Sequence, residues 1–85
     1  MLAPDFEVRV VTVDPGSARP YREADWRDAL VLVRSGEIEL EGLGGWRRAF
    51  ASGAVLCLDG LQLRRLRNRG EEPVFLVAVA REISD

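Results

Sequence analysis

No histidine and no lysine occur among the 85 residues, and cysteine occurs once. Without histidine the chain lacks the commonest metal ligand and the usual general base at neutral pH. Ser17, Ser35, Ser52, Ser84 and Tyr21 therefore have no imidazole to activate them, and nucleophilic catalysis has no constellation here. A lone Cys57 excludes an internal disulfide. Its setting, A-V-L-C-L, predicts a small buried packing residue rather than a reactive thiol. No apolar run approaches the roughly 20 residues of a membrane span. The opening Met1-Leu2-Ala3-Pro4-Asp5 lacks the basic region and apolar core of a secretory signal. The expectation is a cytoplasmic protein with no membrane partner.

Charge of one sign is also missing. The twelve basic residues, all arginine, stand against fourteen acidic ones, for a net charge of −2. That balance gives no bulk attraction to nucleic acid, and no aromatic platform alternates with the arginines, so no nucleic-acid partner is expected. Arginine in place of lysine, beside abundant Ala, Gly, Val and Leu, reads as compositional bias.

What is present is strand after strand. The chain is 47% hydrophobic and 31% charged, an ordinary globular balance that fits one domain over residues 1–85. F-E-V-R-V-V-T-V at Phe6–Val13 nearly alternates, with Phe6, Val8 and Val10 on one face and Glu7 and Arg9 on the other. Asp14-Pro15-Gly16-Ser17 is a turn. Residues 18–28 have no clean period; one helical turn over 24–28 is expected, with Trp26 pinning the segment to the core. Residues 29–33 (A-L-V-L-V) and 74–80 (V-F-L-V-A-V-A) are apolar on both faces, as strands covered on both sides would be. E-I-E-L-E at 37–41 points Ile38 and Leu40 inward. A glycine loop and residues 46–50 complete a hairpin that puts Arg47 opposite Glu39 or Glu41. Residues 54–58 and 62–67 flank an Asp59-Gly60 turn. Short strands with turns about every 8–12 residues predict an all-β antiparallel sandwich or barrel with little or no helix.

The stretch from Gly53 to Asn68 has the spacing G-x5-P-x-G-x2-H-x3-N, and a closing N-x-G-x-E-P loop follows from Asn68 to Pro73. With the strand order, these features resemble the cupin superfamily, whose fold is a small double-sheet jelly-roll β-barrel. Asp59 stands at the proline, Leu61 at the glycine and Arg64 at the metal-binding histidine of that motif. The family's other motif, G-x5-H-x-H-x4-E-x6-G, places its glycines on Gly16 and Gly36, its histidines on Arg22 and Ala24 and its glutamate on Ala29. The resemblance covers residues 6–82 as a fold and carries none of the ligand positions, so no metal and no other cofactor is expected.

The resemblance implies that Arg64 points into the barrel. Alternation then sends Gln62, Leu66 and Asn68 the same way. An inward guanidinium has to meet a carboxylate, from Glu23, Asp25 or Asp28, or hold an anion. The expected activity is binding of a small, anionic molecule at the barrel mouth by Arg64, Tyr21, Arg22, Gln62 and Asn68. Two alternatives stand beside it. One is a metal-independent isomerase or cyclase using Tyr21, Arg22 and Arg64. The other is a non-catalytic structural homodimer with a packed barrel. A homodimer is expected in any case, because small open barrels leave strand edges and apolar ends exposed.

Overall fold

The structure, a computed structural model, describes residues 6–81. Eight strands and one short helix follow in order: β1 (Phe6–Val13), β2 (Ala18–Pro20), α1 (Glu23–Trp26), β3 (Ala29–Arg34), β4 (Glu37–Gly42), β5 (Arg47–Ala51), β6 (Val55–Cys57), β7 (Leu63–Arg67) and β8 (Val74–Arg81). They form two antiparallel four-stranded sheets, a front sheet ordered β1-β8-β3-β6 and a back sheet ordered β2-β7-β4-β5. The strand the sequence pattern does not reveal is β2; it lies at a sheet edge, where Pro20 costs no ladder bond.

The core lies between the sheets. The front sheet contributes Val11, Val13, Val31, Val33, Val74 and Leu76, and the back sheet Ile38, Leu40, Leu63 and Leu66. Trp26, on α1, is fully buried against them and anchors its segment as its size predicts. Leu58, just after β6, is buried in the same cluster. Ile38 and Leu40 face inward, and Arg47 pairs across from Glu41, as the hairpin pattern predicts.

Two strands turn the other way from the expectation of a dry apolar side. On β1 the residues in phase with buried Val11 and Val13 are Arg9 and Glu7, so Phe6, Val8 and Val10 lie on the outer face, exposed. Cys57 is likewise exposed, correcting the expectation of burial: Leu58 takes the inward position next to it, and Cys57 lies across from Leu30 on the outer side. The apolar outer faces of β3 and β8 are not covered by any described residue; Leu30 and Phe75 are exposed.

Candidate functional site

Strand β7 carries the residues that the sequence pattern singles out, and a bulge decides where they go. Against β4, Arg67 pairs with Glu39, Leu66 with Leu40 and Arg65 with Glu41, but Gly42 then pairs with Leu63. Arg64 is the extra residue, with no partner on β4. A bulge of one residue reverses the side-chain alternation beyond it. Leu63 therefore occupies the inward position expected for Gln62 and Arg64, and both of these are exposed. The inward placement of Arg64 is thus corrected. Its guanidinium reaches only the Leu43 carbonyl, at 3.4 Å, and none of Glu23, Asp25 and Asp28 pairs with it.

The other expected site residues do not gather around it. Asn68 is buried at the far end of β7, where its amide donates to the carbonyls of Val13 (3.0 Å) and Glu72 (2.7 Å) and its oxygen accepts from the Gly70 N–H (2.9 Å). One of these bonds ties the segment to β1, and the other two close the loop over residues 68–72. Arg22 is exposed at the start of α1. Tyr21 is half-buried against the core, with its backbone N–H on the Arg64 carbonyl. Burial first, and then the charges of Asp59, Glu23 and Cys57, push its hydroxyl pKa above 10.0.

The positions where the fold type carries metal ligands do not fit a metal. They hold Arg22, Ala24, Ala29 and Arg64, and none of these side chains offers a lone pair to a cation at neutral pH. No group of three His, Cys, Asp or Glu side chains stands ready to hold one among the described residues.

The back sheet's outer face is an arginine–glutamate lattice. Glu41, itself buried, receives Arg65 at 2.6 Å and Arg47 at 3.4 Å, and Arg69 stands 3.3 Å from Glu39. A shallow hollow beside it is lined by Arg64, Arg65, Arg47 and the glycine loop. Glu41 engages two of the hollow's three arginines and offsets one of their charges, so the hollow stays net positive, but it is shallow and open to solvent, where a single ion pair contributes little.

A recess the sequence pattern does not reveal lies elsewhere, between α1 and the inner face of the front sheet. Toward one end of that face the side chains shrink: Val33 and Val31 give way to Ala29 on β3, and Val74 and Leu76 to Ala78 and Ala80 on β8. On β1, in the same direction, Val13 and Val11 give way to Arg9 and Glu7. Trp26 takes up part of the vacated volume. A cleft of about 200 Å³ remains, floored by alanines and rimmed by Glu7, Arg9, Asp25 and Arg27. The Arg9 guanidinium lies 5.6 Å from the Trp26 ring centroid and donates to the Asp25 carbonyl. Stacked and hydrogen-bonded in this way it is held in place, with donors to spare. Arg9 thus has the role expected of Arg64, a fixed inward-facing positive charge. The signal that could have found it is the charged pair interrupting one face of an otherwise apolar β1.

Among known proteins, no family model matches this chain, and no curated protein does. Solved structures match it over nearly its whole length. A cupin 2 conserved barrel domain protein from Salinispora arenicola is 26% identical, with a TM-score of 0.68, over 91% of this chain and 62% of the other. The chain therefore spans less than two thirds of that protein's length. A protein from Neisseria meningitidis is 13% identical, with a TM-score of 0.66, over 96% of this chain and 79% of the other. The chain has the cupin-like barrel fold.

Proposed function

We propose that this cupin-like barrel is a metal-free domain that binds a small carboxylate, or a similar anion, in the alanine-floored cleft beside α1 and not in the barrel centre. The observation that supports it is the placement of Arg9: an inward-facing guanidinium, fixed over Trp26, at the one end of the inner face where the side chains are small. The barrel itself is filled by Trp26, Ile38, Leu40, Leu66 and Leu76. At about 200 Å³ the cleft is smaller than the roughly 300–1,000 Å³ of sites for drug-sized ligands, and so suits a small metabolite. Arg9 and Arg27 recognise the anionic end, bidentately where the geometry allows. Glu7 and Asp25 accept from a hydroxyl or ammonium group on the same ligand, which favours a hydroxy or amino acid over a simple fatty acid.

Amide shifts recorded by NMR during titration with small hydroxy acids, amino acids and inorganic phosphate test this. Saturable shifts around Arg9, Arg27 and Ala80 are expected in the wild type. They should vanish in Ala80→Leu, which fills the cleft, and in Arg9→Met. Shifts scattered over the surface, or undiminished in Ala80→Leu, would remove the cleft from consideration.

A further inference from the structure

The outer face of the back sheet is made of the side chains that alternate with its core residues. Register places Ala18, Arg67, Glu39 and Ala49 in one row across β2, β7, β4 and β5. The next row is Pro20, Arg65, Glu41 and Arg47. Glu37 stands beyond the first row, across from Ala51. Two arginines join from outside the regular ladder. Ordinary alternation would put neighbours 64 and 65 on opposite faces, but the β7 bulge turns Arg64 to the side of Arg65. The two together line the hollow beside the glycine loop and a second hollow over Ala18 and Pro20. Arg69, just past β7, folds back to Glu39. The face thus carries five arginines and three glutamates, on a chain whose net charge is −2.

We infer that this face docks an extended acidic segment of a partner protein, whose carboxylates at alternate residues lie along Arg65, Arg67 and Arg69. The repeat is the first reason. These arginines recur at every second residue, about 7 Å apart along an extended chain, and an extended partner presents one face of its side chains with the same repeat. The second is the way the donors are held. Glu41 takes Arg65 and Arg47 at their Nε atoms, and Glu39 takes Arg69 at its Nε, so the terminal nitrogens remain for other acceptors. Both glutamate side chains are nearly buried, and a guanidinium already fixed in this way loses less freedom when a partner arrives. The third is unmatched charge. Among the described residues no carboxylate pairs with Arg64 or Arg67, and Arg67 Nε has no hydrogen-bond partner.

The chemistry of the face selects this occupant. A lone small anion gains little at so open a site, whereas a segment that sets down several carboxylates at once adds their contacts on a single tether. Recognition of acidic motifs by arginine clusters works in this way. The two rows hold no aromatic ring on which a base could stack, and no large apolar side chain that could enter a bilayer. Ala18, Pro20 and Ala49 keep the borders low, so a chain can lie across the sheet without a rim in its way. The inference does not depend on the alanine-floored cleft, which lies on the inner side of the other sheet.

Fluorescence anisotropy of a labelled peptide of alternating glutamate and threonine, at low salt, tests the assignment. The comparison peptide has the same number of glutamates placed at every third residue, which sends them to alternating sides of an extended chain. The alternating peptide should bind saturably and at least about fivefold more tightly, and added salt should weaken it. Arg64→Gln and Arg69→Gln should each weaken binding about two- to fivefold, and together about tenfold. Arg34→Gln makes the same change of charge on the front sheet and should leave the affinity as it is. All three positions are exposed, so the variants should stay folded, as circular dichroism checks; if one does not, the remaining ones are read. Absence of saturable binding at high micromolar concentration overturns the inference. So does equal affinity for the two peptides, or a loss in Arg64→Gln and Arg69→Gln no greater than in Arg34→Gln. Tighter binding of oligodeoxythymidine or of phosphatidylglycerol vesicles than of the alternating peptide overturns it as well.

Discussion

At the scale of single residues, Arg64 and Asn68 show how much a side chain's surroundings outweigh its place in a motif. Both sit on motif positions four residues apart, Arg64 on β7 and Asn68 just beyond its end. Arg64 is exposed, with one long contact to a carbonyl, so Arg64→Met should change stability by less than about 0.5 kcal/mol. Asn68 is 1% exposed, and all its polar atoms are engaged. Asn68→Ala strands the buried carbonyl of Val13 and releases the partly buried Glu72 carbonyl and Gly70 N–H, and should cost about 2 kcal/mol, because a buried group left unpaired loses its solvation without return. Urea denaturation of the two variants side by side checks the contrast. Equal losses would mean that the β7 bulge is misplaced.

At the scale of elements, the Tyr21 ring marks where β2, α1 and the turn after β6 converge. Its hydroxyl pKa is raised by burial first and then by the charges of Asp59, in the turn after β6, and Glu23, at the start of α1. It is the only tyrosine, so absorbance titration isolates it. The folded protein should titrate above 10.0 and the urea-unfolded protein at the ordinary value. The sign follows from linkage. The unfolded chain releases this proton first, so the contribution to stability is whole below the unfolded pKa and is lost as pH rises through the folded one. Tyr21→Phe should remove that part of the alkaline loss of stability. A folded-state titration at or below the unfolded one would show that the three segments do not converge in this way. The turns that separate these elements are plain in the sequence for a physical reason: Gly16, Gly36 and Gly53 all take positive φ, at 74°, 90° and 99°, where a side chain is strained. The bulge in β7 has no such marker, since Leu63-Arg64-Arg65-Leu66 contains neither glycine nor proline.

At the scale of the whole molecule, the fold presents a filled barrel, one charged cleft, one polar outer face and one apolar outer face. The scaffold type is associated with metal chemistry through the positions that here hold Arg22, Ala24, Ala29 and Arg64, and a cationic guanidinium at such a position repels a divalent ion. Elemental analysis of untagged protein should find no zinc, iron, nickel or manganese in proportion to chain. One equivalent of any of them would require a ligand set that these four residues do not provide.

The sequence by itself determined the architecture. Alternation in Glu37–Gly42, turn chemistry at Asp14–Ser17 and at Asp59-Gly60, and apolar strands at regular intervals are local properties, and they place strands and turns without knowledge of the partner strands. It also determined the missing metal ligands, which are a matter of inventory. Only the tertiary structure decided which way the side chains point. Alternation divides a strand into two faces but does not say which faces the core, and one inserted residue in β7 exchanged them for Gln62 and Arg64. On β1 the choice went against hydropathy: Phe6, Val8 and Val10 face out while Glu7 and Arg9 face in, because Val11 and Val13 set the phase. The alanine-floored cleft and the apolar face both follow from that one phase. It is set by packing between segments far apart in the chain, which no local pattern records.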